Sequence, residues 1–152
     1  MMSMRTAYRP RRRDGLYHAA VHQKVRVLVA DDDDEVRELV CEALRDDGYD
    51  VHEATDGHGL LELIGSMLLG EPTAQPFELI ISDVHLPGGV SGLDMLAGIR
   101  RADWSLPVLL VTGYGDPATY EEAARLGAYV LDKPLDLDDL RTAAFNLAPP
   151  QI

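Results

Sequence analysis

The sequence has a single cysteine and no long apolar segment. Cys41 alone cannot form an intramolecular disulfide or a cysteine metal cluster, so we expect a protein of a reducing compartment, the cytoplasm. No run approaches the ~18 apolar residues of a membrane-spanning helix, and residues 1–24 lack the apolar core of a secretory signal. We therefore predict no membrane insertion. The histidines show no zinc-ligand spacing, and no phosphate-binding glycine loop of the NTPase type is present.

Basic residues are scarce in most of the chain. The formal net charge is −12, yet residues 1–24 carry six Lys and Arg against one acid. The other eight basic residues face 25 acids, so a segment of charge +5 precedes a body of charge −17. We predict that residues 1–24 form a disordered basic arm. Because phosphate contacts depend on Lys and Arg, we expect no DNA binding by this chain.

Strand and helix patterns alternate between residues 25 and 147. Apolar runs at 25–30, 77–82 and 106–111 predict three strands, residues 49–53 predict a further short strand, and Val130 and Leu131 mark the centre of a fifth. Apolar residues at helical spacing follow each strand and predict five helices. This alternation predicts one α/β domain at 25–147, a (βα)5 doubly wound parallel five-stranded sheet covered on both faces. Residues 148–152 would be a short tail.

Polar side chains follow four of the five predicted strands. Asp31 and Asp32 follow the first, Asp83 the third, Thr112 the fourth and Lys133 the fifth. In an open parallel sheet, ligands bind beyond the carboxyl ends of the strands. Three carboxylates placed there would repel one another unless a cation or protonation relieves the repulsion. Since Mg²⁺ prefers oxygen ligands and keeps water positions open for phosphate oxygens, the pattern predicts a magnesium and phosphoryl site.

Taken in order, these residues resemble the receiver domain of two-component response regulators, of the single-domain, chemotaxis-regulator-like kind. The resemblance rests on Asp31-Asp32, Asp83, Thr112 and Lys133-Pro134, and it covers about 25–147. It implies a flavodoxin-like strand order and a cis peptide before Pro134. It also implies partners: a sensor histidine kinase or a histidine phosphotransfer protein, and a downstream protein whose identity the sequence does not indicate.

The resemblance implies a set of ligands for Mg²⁺. Asp32 and Asp83 would bind the metal directly, and Asp31 would act through metal-bound water. The third protein ligand would be the backbone carbonyl of His85, two residues beyond Asp83, and not the His85 side chain. Mg²⁺ is thus the expected cofactor.

The resemblance also implies the chemistry. Asp83 would be the phospho-acceptor, the Thr112 hydroxyl would hydrogen-bond the new phosphoryl group, and Lys133 would pair with the acceptor and phosphoryl oxygens. Phosphoryl transfer depends on positioning and on neutralising oxygen charge, which these groups provide. We expect a stand-alone receiver that signals through phosphorylation-dependent protein contacts. Such a protein accepts and loses phosphate but is not a conventional turnover enzyme.

The chain departs from the family pattern at two points near the site. The turn at 88–90 is one residue longer than usual. Val130 stands where receivers usually carry a switch aromatic, and Tyr129 beside it should point to the opposite face of the strand. Tyr114, two residues beyond Thr112, is bulky, and we hypothesise that it screens an acyl phosphate from water.

Two other functions fit parts of the pattern. One is a receiver-like interaction module that is insensitive to phosphorylation, which Val130 favours. The other is a Mg²⁺-dependent phosphohydrolase. The phosphohydrolase is disfavoured because Asp83-Val84-His85 lacks the second acid that would serve as a general acid two residues after the nucleophile.

Overall fold

The computed structural model describes residues 23–69, 75–102, 104–113 and 115–151. Two predictions lie outside these residues: Tyr114, and the basic arm except for its last two positions. In chain order the elements are β1 (Arg26–Ala30), α1 (Asp34–Asp46), β2 (Asp50–Ala54), α2 (Gly57–Leu68), β3 (Leu79–Asp83), α3 (Gly92–Arg101), β4 (Val108–Thr112), α4 (Pro117–Arg125), β5 (Tyr129–Asp132) and α5 (Leu137–Leu147). No helix among the described residues is both long and apolar enough to span a bilayer.

The five strands form one parallel sheet in the order β2-β1-β3-β4-β5. This order confirms the predicted doubly wound, flavodoxin-like sheet. Its direction of winding changes between β1 and β3, and this is where such sheets bind ligands. The register sets Ala30 beside Ser82, so the residues that follow β1 lie next to Asp83.

The core has two parts, one on each face of the sheet. Every residue of β3 and β4 is buried, as expected for central strands covered on both sides. Consecutive strand residues, such as Leu28 and Val29, belong to different parts of the core. Helices α2, α3 and α4 pack on one face, and α1 and α5 pack on the other. Cys41 of α1 is buried in the second part, and desolvation there raises the pKa of its thiol to about 11.

Each helix begins with a side chain that accepts hydrogen bonds from its first turn. Four of these caps are aspartates and one is a serine, and all five hold extended backbone conformations. Asp33 caps α1 by accepting from the backbone N–H groups of Glu35 and Val36. The run of acids after β1 is therefore divided between two tasks. Asp33 starts the helix, which leaves Asp31 and Asp32 at the edge of the sheet.

The edge strand β5 presents its side chains to both faces of the sheet. Val130 packs against the part of the core under α2, α3 and α4, and Leu131 packs against the other part. Tyr129 pairs in register with Leu109 on the face opposite Val130, and it is 60% exposed. Tyr129 therefore points away from the face that Val130 occupies, as predicted.

Candidate functional site

Three carboxylates converge at the carboxyl edge of the sheet. Asp31 and Asp32 follow β1, and Asp83 is the last residue of β3. One carboxylate oxygen from each lies within 4.8 Å of the others. Asp31 and Asp83 are each 6% exposed, whereas Asp32 is open to solvent. Clustered carboxylate oxygens suit a hard divalent cation such as Mg²⁺, so these residues fit the metal that the sequence predicts.

Lys133 brings a positive charge to this cluster. Its Nζ donates a hydrogen bond to Asp83 Oδ2 at 2.7 Å and lies 3.7 Å from Asp31 Oδ2. Burial alone would lower the pKa of Lys133, but the hydrogen bond to Asp83 and the charges of Asp83 and Asp31 outweigh burial and raise the pKa. Lys133 is therefore a cation at neutral pH and offsets part of the negative charge.

Asp83 is held at both carboxylate oxygens and along its backbone. Oδ2 accepts from Lys133, and Oδ1 accepts from the backbone N–H of His85 at 2.9 Å. The Ser82 hydroxyl donates to the Asp83 carbonyl oxygen at 2.8 Å. Helix α3 begins directly beneath, where a Cβ at Gly92 would lie only 2.5 Å from that oxygen. Only glycine lets the helix approach β3 so closely.

Asp31 sits in an unfavourable electrostatic position. Desolvation, followed by the charges of Asp83 and Asp32, raises the pKa of its carboxyl group. The backbone N–H of Asp33, which donates to Asp31 Oδ1 at 2.9 Å, and the charge of Lys133 oppose that rise without cancelling it. The ionised form of Asp31 is therefore destabilised, and a bound cation would stabilise it.

Thr112 and Lys133 are joined through the backbone of two neighbouring strands. Thr112 is buried at the end of β4, and its carbonyl oxygen accepts from the N–H of Lys133 at 2.8 Å. The peptide between Lys133 and Pro134 is cis, as the resemblance implies. Thr112 and Lys133 therefore lie at the ends of adjacent strands.

The loop between β3 and α3 carries His85 and packs against the start of α2. The backbone N–H of Gly57 donates to the carbonyl of Pro87 at 2.9 Å, and a Cβ at Gly57 would lie 2.4 Å from the Val90 carbonyl. Gly88 and Gly89 have φ values of 95° and 82°, which glycine adopts without strain. The longer turn is therefore tied to a helix. The role of the His85 carbonyl as a metal ligand stays a prediction.

Two residues next to the site were not predicted from the sequence pattern alone. Arg37 lies on the buried side of α1 and donates to the Asp31 carbonyl at 2.8 Å. A charged residue on the otherwise apolar stripe of α1 was the signal that could have identified it. The second is Tyr120 of α4, whose hydroxyl donates to the carboxylate of Asp132, next to Lys133. No periodic pattern marks that contact, because it joins a helix to the following strand.

Residues 27–145 match the family of the response regulator receiver domain. The chain is similar to the regulatory protein AtoC of Escherichia coli (strain K12), with 33% identity over 117 residues, which are 76% of this chain and 23% of that protein. It is also similar to sporulation initiation phosphotransferase F of Bacillus subtilis (strain 168), with 27% identity over 125 residues, 82% of this chain and 94% of that protein.

Among solved structures, the chain resembles a response regulator protein from Burkholderia pseudomallei, determined with a phosphorylated aspartic acid, a calcium ion and citrate. The TM-score is 0.63 and the sequence identity 31%, over 78% of this chain and 65% of that one. The chain thus spans nearly all of phosphotransferase F but less than a quarter of AtoC. The activities of the longer relatives as whole proteins are therefore not assigned to this chain.

Proposed function

We propose, from the premise that this chain belongs to the response regulator receiver domain family, that it accepts a phosphoryl group on Asp83. The donor would be a sensor histidine kinase or a histidine phosphotransfer protein, the partners with which receiver domains interact. One observation carries the proposal: Asp83 lies beside two further carboxylates and 2.7 Å from the ammonium of Lys133. An acceptor, a set of oxygen ligands and a fixed cation are the parts that phosphoryl transfer requires.

In the proposed reaction, a carboxylate oxygen of Asp83 attacks the phosphorus of a phosphohistidine. A P–O bond forms, the P–N bond breaks, and its electron pair leaves with the imidazole nitrogen. Lys133 offsets negative charge on the acceptor and phosphoryl oxygens, and the Thr112 hydroxyl donates to one of the latter. Mg²⁺, when bound, supplies the remaining positive charge at those oxygens.

The proposed metal ligands are the acids of the cluster and one carbonyl. Asp32 and Asp83 would bind Mg²⁺ directly, Asp31 would act through bound water, and the His85 backbone carbonyl would complete the protein ligands. The acidic cluster and the family's typical use of Mg²⁺ support this assignment. The Burkholderia relative's phosphorylated aspartic acid and calcium ion support an aspartyl acceptor in a protein that binds a divalent cation.

The proposed output is a change in protein contacts on phosphorylation. A role as a stand-alone receiver or a relay intermediate is part of the proposal, and phosphotransferase F, which the match covers over 94% of its length, is a relative of comparable size. A cytoplasmic site of action is part of the proposal, supported by the single, buried cysteine. The long relatives such as AtoC show that matching domains also occur within larger regulators.

The test is a phosphorylation assay with a small acyl-phosphate donor and Mg²⁺, followed by intact mass. We expect one added phosphoryl group per chain, and none without Mg²⁺ or in Asp83→Asn. The matched control is Asp138→Asn, because that side chain is 91% exposed on α5. An adduct of equal yield in Asp83→Asn would contradict the proposal, as would no adduct in a protein that binds Mg²⁺. Repeated release of phosphate from a phosphate ester, supplied in place of the acyl-phosphate donor, would favour the phosphohydrolase.

A second candidate is the phosphorylation-insensitive interaction module. It is favoured by Val130, a half-buried aliphatic side chain that packs against the core at the position where receivers usually carry a switch aromatic. Amide NMR spectra with and without the phosphoryl group separate the two functions. Shifts that extend into α4 and β5 would support a switching receiver. Shifts confined to the site residues would support the module.

A further inference from the structure

Arg37 is a buried charge on the apolar side of α1. It is 9% exposed and shares its helix face with Val40, Cys41 and Leu44, which pack in the core. A guanidinium in such a place is costly unless hydrogen bonds satisfy its donors. The partners that satisfy it therefore indicate what the residue is for.

Each nitrogen of the Arg37 guanidinium has a different acceptor. Nη1 donates to the carbonyl oxygen of Asp31 at 2.8 Å, Nε to Glu53 Oε1 at 3.0 Å, and Nη2 to Asp34 Oδ1 at 2.8 Å. The three acceptors come from the end of β1, from β2 and from the first turn of α1. The rigid, planar fork of arginine connects these three places, which a single ammonium could not do in the same geometry.

The acceptor on Asp31 is the carbonyl of the peptide unit that joins Asp31 to Asp32. The N–H of Asp31 is bound to the Ala54 carbonyl at 3.2 Å, and its Oδ1 accepts from the N–H of Asp33 at 2.9 Å. With Arg37 on the carbonyl, both sides of the residue are tied down. Rotation of this one peptide plane would move the two neighbouring carboxylates relative to each other.

We propose that Arg37 is a positioning residue for the divalent cation site: it holds the Asp31–Asp32 peptide unit against Glu53 and so presets both carboxylates for Mg²⁺. This inference rests on the proposed function and deepens it, since it assigns the source of the site's metal affinity. Residues that orient metal ligands from behind contribute about 10- to 100-fold to metal affinity in other proteins.

Charge and geometry predict opposite effects for the loss of Arg37. Removing the positive charge that is bound to the Asp31 carbonyl makes the surroundings of the cluster more negative, so charge alone predicts tighter Mg²⁺ binding. Loss of positioning predicts weaker binding. The sign of the change in Kd therefore separates a positioning role from a simple contribution to the local charge.

The experiment is a Mg²⁺ titration of the full chain, followed by amide NMR shifts of the site residues. In Arg37→Met we expect the Kd to rise by about tenfold or more. Arg37→Lys keeps the charge but not the fork, and we expect its Kd to rise by several-fold. The matched control is Arg45→Met. Arg45 donates to the other oxygen of Glu53 at 3.1 Å and to the Val51 carbonyl at 2.9 Å, both away from the Asp31 carbonyl. We expect the Mg²⁺ Kd of Arg45→Met to stay within about twofold of the wild-type value or to fall.

Thermal unfolding of the same variants completes the test. A folded Arg37→Met protein that binds Mg²⁺ as tightly as the wild type, or more tightly, would overturn the positioning role. If that variant does not fold, Arg37→Lys decides in the same way. Failure of both to fold would also overturn it, because Arg37 would then serve the whole domain. A wild-type protein that binds no Mg²⁺ would instead contradict the proposed function itself.

Discussion

Gly92 at the start of α3 lies so close to the Asp83 carbonyl that a Cβ would be 2.5 Å from that oxygen and 3.1 Å from the Ser82 hydroxyl. Gly92→Ala should therefore push α3 away from β3. We expect a loss of about 1–3 kcal/mol in the free energy of unfolding, typical of overpacking, together with slower phosphorylation of Asp83. Urea denaturation and the intact-mass assay would measure the two effects.

The control for this variant lies in the same helix. A Cβ at Gly98 would meet nothing within 4 Å, and Gly98 is an interior position of α3. Gly98→Ala should stabilise the protein by about 0.5–1 kcal/mol, because alanine loses less conformational freedom on folding. Equal effects of the two substitutions on the free energy of unfolding would show that the close approach at Gly92 does not cause the loss of stability.

Asp31→Asn should make the protein more stable without Mg²⁺ and less responsive to it. The raised pKa of Asp31, caused first by burial and then by Asp83 and Asp32, means that its charged form is disfavoured in the folded state at neutral pH. Asparagine removes that penalty and still offers Oδ1 to the N–H of Asp33. We therefore expect a higher melting temperature in the absence of metal and a smaller rise on adding Mg²⁺. A lower melting temperature without metal would contradict this explanation.

Tyr49→Phe should destabilise the attachment of α5. The Tyr49 hydroxyl donates to the carbonyl of Ala148 at 2.8 Å, in a buried contact that joins residues 99 positions apart. Burial raises the pKa of Tyr49 to about 12, so the hydroxyl remains a donor at all ordinary pH values. Its loss leaves a buried carbonyl without this donor and should cost about 1 kcal/mol in urea denaturation.

The matched control is Tyr129→Phe, because Tyr129 is 60% exposed on the edge strand. We expect its effect to lie within about 0.5 kcal/mol. A similar loss in both variants would mean that removal of any tyrosine hydroxyl, rather than the bond to Ala148, explains the result.

The ion pair between Asp47 and Arg141 should make stability depend on acid pH. Arg141 donates to both oxygens of Asp47, at 2.9 and 2.7 Å, and these hydrogen bonds lower the pKa of Asp47. A carboxyl group whose folded pKa lies below its unfolded pKa stabilises the fold above the unfolded value. That stabilisation is lost as the pH falls through the folded pKa.

Asp47→Asn should therefore be less stable than the wild type at neutral pH, and the difference should shrink as the pH falls through the acidic range. Melting temperatures measured from pH 7 downward would test this. Glu42→Gln serves as the control, because Glu42 is an exposed acid of α1, the helix that ends just before Asp47. A constant difference between Asp47→Asn and the wild type across that range would rule out the ion pair as its cause.

Much of the fold could be predicted because central parallel strands are buried on both faces. Such strands read as short apolar runs, and β3 and β4 are buried at every position. Helix caps can also be recognised along the chain: Asp116 stands before Pro117 and Asp136 before the last helix, and each accepts hydrogen bonds from the first turn of its helix. Tyr129 and Val130 point to opposite faces for the simple reason that strand side chains alternate.

The order of the elements, the single parallel sheet and the set of polar residues at its carboxyl edge could all be predicted from the amino-acid sequence. They could be predicted because apolar periodicity and strand-end position are local properties of the chain. How those residues are held depends on the three-dimensional packing. The Arg37 bond to the Asp31 carbonyl, the contact between Gly92 and Asp83, and the hydrogen bond from Tyr120 to Asp132 each depend on the packing of a helix against a strand. Distances of this kind follow from three-dimensional packing, which no pattern along the chain encodes.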